Sequence, residues 1–466
     1  MTRVVAPLVL VAFLLGPASS ARARTLDRRS AVAAALAQNP QVAAARAEEA
    51  ALEAQRAQVR AAKWPTLSFT AGVGPSDIAT LVPGTDVSKQ QQYTVPWSDL
   101  SAVFIGELSL LQPIYTFGKI ALRGEAALAG LHAKQAETRM KRADVAFAVA
   151  QIYEGLLYAR DAERFFAEMD RWLASILDET QEKVKNGVAN THERDVLRVQ
   201  AAQGLTAMAL HQARAGQAQA RAGLIAYLGL PAGETIEVAE DDLLPVGHLP
   251  SDVAELSRVA LDNRPELTAL REGNKALAAL GRAEHAGYLP DFFALGFLSV
   301  AYTPGRDWVE NRFIVDPLQH FAPGLLLGLR WQLQANMAGA RAAEQQAHAS
   351  SLAHLRDWAD DGIPAEVRKA WEDVHRCDQD LEKGAIAVKK AKQWMVEASA
   401  DFDVGLVELR EVNDAVESYV TLRTSLLKAL YDRNVAMADL TRATGTLDGD
   451  AKLLYLEPPA VTVVKP

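Results

Sequence analysis

Two hydrophobic rhythms run along the chain. Through long stretches apolar residues recur every three or four positions, the spacing of one face of an α-helix. In a few places that rhythm stops and a strict alternation takes over. The stretch "AAKWPTLSFTAGVG", residues 61–74, holds both. Its alanine-rich run predicts a helix ending at Trp64, because Pro65 has no N–H and disfavours α geometry in the residue before it. Leu67, Phe69, Ala71 and Val73 then fall on one face, with Thr66, Ser68, Thr70 and Gly72 on the other. That is a strand with one apolar side. "HAGYLPDFFALGFLSV" makes the same change at Pro290.

The recurrence is systematic. "ALAQNPQVAAARAEEAALEAQRAQVRAAKWP" aligns with "ALDNRPELTALREGNKALAALGRAEHAGYLP", pairing Pro40 with Pro265 and Pro65 with Pro290 at an offset of 225. Further on, Leu111 pairs with Leu329 and Gly187 with Gly405 at 218, and Gly229 with Gly445 at 216. Two small insertions in the first copy account for the drift. The chain is an internal duplication, each copy reading helix, strand, loop, strand, long helix, turn, helix. Residues 24–229 form the first repeat, 230–250 an acidic, proline-marked connection, 251–445 the second repeat, and 446–466 a loosely ordered tail.

Each copy supplies two strands, predicted at about 66–74, 101–112, 291–302 and 325–334. On the second, Ala102, Phe104, Leu108 and Leu110 oppose Ser101, Glu107 and Ser109. On the fourth, Leu325, Leu327, Leu329, Trp331 and Leu333 oppose Arg330, Gln332 and Gln334. About ten alternating residues is the length a tilted strand needs to cross a bilayer, with its other, polar face inward. Four strands cannot close a barrel, and an open edge in lipid is not viable. Three protomers sharing about twelve strands is the simplest cyclic solution. The helices are long: from Gly118 to Gly187 nothing breaks the pattern, and Val145, Val149, Ile152, Leu156, Phe166, Met169 and Leu173 keep a coiled-coil seam. In the matching helix of the second copy, Pro364 predicts a kink or break near Gly362.

Composition places the chain in the envelope. Residues 1–23 have a basic start at Arg3, an apolar core and the ending Ala21-Arg22-Ala23, a secretory signal peptide. Its removal takes the formal charge from −9 to −11 through loss of Arg3 and Arg22, a poor balance for binding nucleic acid. No cysteine follows the cleavage point to carry a lipid, and the single Cys377 allows no disulfide within the chain. An exported chain with alternating strands and no spanning helix fits the outer membrane or periplasm of a diderm bacterium. Nothing suggests an enzyme. "THERD" has no second histidine four residues on, His348 and His354 do not share ligand spacing, and no glycine-rich phosphate loop occurs. No cofactor or metal is expected. A non-conducting coiled-coil spacer or adhesin stalk is the alternative, but it would not need four bilayer-length strands.

"NPQVAAARAEEAALEAQRAQVRAAKWPTLS", "NRPEL", "LQPIYTFGK", "DVLRVQAAQ" and "FDVGLVELREVNDA" resemble, in this order and duplication, the outer-membrane efflux protein family of TolC-like channels. The resemblance runs from about Ser30 to Gly445. It implies a mainly α protomer with a transmembrane β portion, three of which form a periplasmic α-barrel tunnel and one shared 12-stranded outer-membrane β-barrel. It further implies an exit duct for small molecules or polypeptides, partnered by a periplasmic adaptor (membrane fusion) protein and an inner-membrane transporter. Pro65 and Pro290 then mark the passage from periplasm into membrane. The turns Gly187-Val188 and Val404-Gly405-Leu406 become adaptor-docking turns. Glu411 and Asp414 line the periplasmic entrance, with Asp195 at the equivalent place in the first copy. Where the family tethers this entrance through an arginine, the chain has Val407, leaving Arg410 as the nearby candidate.

Overall fold

The computed structural model describes residues 24–81, 93–94, 100–188, 191–231, 233–309, 315–333 and 335–447. The signal peptide and most of the predicted tail lie outside the described residues. The chain forms two compact units, Met1–Ala43 with Lys141–Asn263 and Ala365–Pro466, and Ala44–Met140 with Arg264–Pro364. Each draws on both repeats.

The first unit is helical. Strand β1 (Arg24–Leu26) leads into α1 (Arg28–Gln38). Asp27 and Ser30 cap α1 reciprocally: each side chain accepts the other's backbone N–H, at 2.8 and 2.9 Å. The "NP" that opens the first repeat is a second cap. Asn39 Oδ1 accepts from the Gln41 N–H at 2.8 Å, while its Nδ2 donates to the Tyr227 carbonyl at 2.8 Å. Pro40 is the first residue of α2 (Pro40–Ala61), where its missing N–H costs nothing.

Two very long helices follow, α3 (Lys119–Lys185) and, after the second strand pair, α7 (Ala335–Asp403). The predicted seam on α3 is buried at Val145, Val149, Leu156, Phe166, Met169 and Leu173. It packs with α4 (Glu193–Tyr227) and α8 (Leu409–Ala443) into continuous apolar cores. The break expected at Pro364 does not occur: α7 is helical throughout. Proline removes one backbone hydrogen bond there, and the buried face of Ala359, Ile363, Val367 and Ala370 carries the helix past it.

The connection is more than a linker. Its strand β6 (Ile236–Val238) pairs in parallel with β1, and Leu243 and Val246 are buried. Helix α5 (Val253–Asn263) then returns the chain to the second repeat. An ionic network holds the strap in place. Arg28 binds Glu154 at 2.5 Å and Glu240 at 3.0 Å. Asn434 donates to Glu154 at 2.8 Å and to the Leu244 carbonyl at 2.9 Å, and accepts from the Val246 N–H at 3.0 Å. The Tyr153 hydroxyl donates to the Leu26 carbonyl at 2.8 Å and also contacts Glu240.

The second unit carries a four-stranded antiparallel sheet in the order β2-β5-β7-β8. Its strands are β2 (Thr66–Asp77), β5 (Leu100–Tyr115), β7 (Asp291–Tyr302) and β8 (His320–Arg330). A two-residue pair, β3 (Thr80–Leu81) with β4 (Tyr93–Thr94), lies between the first two. Helix α2 ends at Ala61 rather than Trp64, because the restriction Pro65 places on Trp64 tightens the last turn to i→i+3 bonds. Helix α6 (Pro265–His285) reaches β7 through a similar 3-10 turn at Ala286–Tyr288. The fourth strand begins five residues earlier than expected and stops at Arg330, so Trp331 and Leu333 continue its alternation outside the ladder. Pro113 sits at a bulge in β5, where its lack of an N–H is tolerated.

Candidate functional site

The residues singled out by the sequence fall in three places: the two faces of the sheet, the two hairpin turns, and the acids just past those turns.

The register assigns every strand residue to a face. Leu67, Phe69 and Val73 on β2 lie opposite Leu110, Leu108 and Phe104 on β5. Leu108 and Phe104 in turn oppose Leu298 and Tyr302 on β7. Gly296 and Ala294 oppose Leu325 and Leu327 on β8. The result is one face that is apolar between Asp77 at one end and Gln112 at the other, and most of its large residues are exposed in the single chain. Exposed aromatic residues mark both ends of the sheet: Trp64, Tyr115 and Trp331 near Pro65, and Phe104, Tyr302 and Phe321 at the far end. An apolar band between aromatic girdles is the surface a barrel shows to lipid. Both outer strands, β2 and β8, have an unpaired edge among the described residues.

The other face is not uniformly polar, which corrects the sequence reading. Thr66, Ser68, Thr70, Ser109, Glu107 and Ser299 lie on it, as expected. So do Leu111, Leu295, Leu326, Phe293 and Phe297. The period-two pattern was misleading here because β5, β7 and β8 carry apolar residues on both sides at these levels.

At the C-terminal ends of α3 and α7, the two turns have the same construction. The Gly187 N–H bonds the Val184 carbonyl at 3.2 Å and the Val188 N–H bonds the Lys183 carbonyl at 3.0 Å. Gly405 and Leu406 repeat this with Phe402 at 3.1 Å and Asp401 at 2.8 Å. This is the Schellman cap, and both glycines take the positive φ it requires, 65° and 77°. Space is not the reason for glycine, since a Cβ at either place would meet nothing within 4 Å. The apolar residues beside the second turn point into solvent, Val404 at 72% and Leu406 at 75% exposure, and Val188 is exposed as well.

Lys183 joins the two tips. Its Nζ donates to the Phe402 carbonyl at 3.1 Å, lies 4.0 Å from the centre of the Phe402 ring, and pairs with Glu179 at 2.6 Å. Burial and the hydrogen bond it donates to Glu179 push the Asp403 carboxyl up. Burial acts in the same direction on Glu179, but hydrogen bonds from Lys183 and Asp403 outweigh it and hold that carboxyl below its ordinary range. Two carboxyls therefore share a site beside one ammonium. Sequence reading missed this cluster, because its members lie about 220 residues apart and none has a distinctive spacing.

The predicted entrance acids occupy different settings. Asp195 and Glu411 both stand third in their helices. Asp195 is only 5% exposed. Its carboxylate accepts the His192 backbone N–H at 3.0 Å and approaches Arg198 at 3.3 Å. Glu411 is exposed and accepts from the Trp394 indole N–H at 2.9 Å. Asp414 is also exposed, with the Arg410 guanidinium a loose 3.9 Å away on the same helix. Among the described residues no group of histidine, cysteine, aspartate or glutamate side chains could hold a metal, and no helix is long and apolar enough to cross a membrane.

Comparison with known proteins finds a likeness to the family that the residues resemble, over part of the chain. Residues 31–230 match the outer membrane efflux protein family. No curated protein matches the chain at a significant level. Solved structures share its fold over nearly the whole length. The outer-membrane channel OprN is 19% identical with a TM-score of 0.72, covering 90% of each chain. CusC, described for its folding and transmembrane channel formation, is 18% identical at 0.72 over 93% of this chain and 96% of its own. The open MtrE outer membrane channel of Neisseria gonorrhoeae is 18% identical at 0.71 over 92% and 93%. The chain is similar to TolC-like outer-membrane channels, as its sequence indicates.

Proposed function

We propose that three copies of this chain form an outer-membrane exit duct, with a shared 12-stranded barrel in the membrane and a helical tunnel in the periplasm. The observation that carries this reading is the sheet: one face apolar through its middle, aromatic ends and two edges unpaired among the described residues. Strands β2 and β8 run in opposite directions, so β8 of one copy meets β2 of the next in the same antiparallel sense as every other pair. Four strands per copy close only by sharing, and closure satisfies the edges that lipid would leave unpaired. Pro65 and Pro290 are then the places where the wall of helices becomes the wall of strands.

The tunnel's far end faces the inner membrane. There Val188, Val404 and Leu406 offer exposed apolar contacts to a periplasmic adaptor, and the adaptor leads to an inner-membrane transporter. Glu411 and Asp414 form stacked rings of carboxylates under threefold symmetry, with Arg410 as the tether within reach of Asp414. Asp195 stands behind them, occupied at the end of its own helix. Rings of carboxylates favour cations and attract divalent ions.

The reading is tested by purifying the chain in mild detergent and inserting it into planar bilayers. A trimer that conducts is expected. The double variant Glu411→Ala with Asp414→Ala should lose cation selectivity and be relieved of block by divalent cations added on the periplasmic side. A monomer without pore activity would overturn the assembly, and unaltered selectivity and block in the double variant would move the constriction elsewhere.

A further inference from the structure

The apolar residues on the inner sheet face form a built feature. Phe297 lies opposite Gly324 and Phe293 opposite Gly328, one such pair four residues from the other along both strands. A Cβ on Gly324 would overlap the Phe297 ring, and one on Gly328 would lie 2.6 Å from the tip of Phe293. Both rings therefore lie flat across the neighbouring strand, in space that only glycine leaves free. A ring lying flat has one face against the backbone and the other turned outward, and Phe297 is 39% exposed.

The outward face of a phenyl ring carries partial negative charge and attracts cations. Phe293 already has one, since the Arg330 guanidinium lies 5.7 Å from its centre. Phe297 has no such partner among the described residues. Its diagonal neighbour across β5 is Glu107: Ser109 is directly opposite Phe297, and Glu107 is two residues further along the same face. Such neighbours lie roughly 7–8 Å apart, within reach of one bound molecule. Glu107 is exposed and forms no ion pair among the described residues. An aromatic ring face beside a carboxylate suits a small cation that also has a flat apolar part.

We propose that Phe297 and Glu107 form a weak binding place, on the inner wall of the barrel, for amphipathic organic cations bearing an aromatic ring. It rests on the channel reading above and deepens it by naming a class of cargo. Weak binding suits a duct, because a molecule must leave the site as readily as it arrives.

Single-channel currents through the reconstituted full-length protein test this. Benzyltrimethylammonium should produce brief blocks; tetramethylammonium, which lacks the ring, and benzenesulfonate, which reverses the charge, should not at the same concentration. Phe297→Leu keeps the apolar bulk and removes the ring, and should weaken the block roughly two- to five-fold, the range of one exposed cation–ring contact. Glu107→Gln should weaken it as well. Equal block by all three probes, or block unchanged in Phe297→Leu, would overturn the binding place while the channel stands. Absence of any conductance in the unmodified protein would remove the channel and this site with it.

Discussion

The turns at Gly187 and Gly405 close their helices with the same pair of backbone hydrogen bonds, and each is followed by a helix with an acid at its third position. Asp195 folds back to cap its own helix, whereas Glu411 faces outward and meets Trp394. The same divergence recurs deeper in the long helices. Glu154 in the first copy is 0% exposed and carries the network that fastens the connection. Its counterpart at the 218 offset, Glu372, lies on the surface. Duplication supplied equivalent acids. The first copy uses them to hold the fold, and the second leaves them free to meet something else.

Substitutions at paired positions can break that contrast. The largest effect is expected at Glu154→Ala, which takes one buried acceptor from both Arg28 and Asn434 and should cost about 3 kcal/mol or more in denaturant unfolding, against about 0.5 kcal/mol or less for Glu372→Ala. Equal losses would mean that the copies share the load. Gly187→Ala and Gly405→Ala should each cost about 1–2 kcal/mol, because an L-residue is strained at positive φ and neither site adds a steric clash. A bulky residue at Gly405 should in addition abolish export with the trimer intact, as read by antibiotic susceptibility. Asp195→Ala should destabilise by about 1 kcal/mol, the worth of a helix cap, without changing ion selectivity. Glu411→Ala should do the reverse.

A small effect is expected at Glu163, whose place in the second copy is taken by Leu381. The hydrogen bond from Arg214, at 2.8 Å, and a second from Gln217 hold the Glu163 carboxyl below its ordinary 4.5. Its contribution is therefore fully present above that pH and is lost as pH falls through the lowered value. Glu163→Gln should cost about 0.5 kcal/mol near neutrality, and the difference from the parent should vanish in acid.

Much of this architecture was legible in the residues. The seam on α3, the glycine turns and three of the four strands lie where spacing and proline placed them. What could not be read has a common cause: it depends on which side chains meet across distant segments. The Arg28–Glu154–Asn434 network joins α1, α3 and α8, and each member looks like an ordinary polar surface residue. The connection has too few residues for a period to reveal that Leu243 and Val246 are buried. Gly324 and Gly328 look like weak points in a strand until the phenylalanines opposite them are known. Asp195 and Glu411 are matched by position, and only their hydrogen bonds separate a capping acid from an exposed one.

The order β2-β5-β7-β8 also fixes a schedule. The central pairing joins Phe104 to Tyr302, so strands from the two repeats must find each other across nearly 200 residues of chain. A contact of that separation forms late, since closing so large a loop carries an entropic cost before any ladder bond is made. Until the second repeat has been synthesised, the hairpin of β2 and β5 is a ribbon with one largely apolar face and two open edges, the kind of surface that aggregates. The time before the second half joins this pairing is then when the chain is most exposed to aggregation.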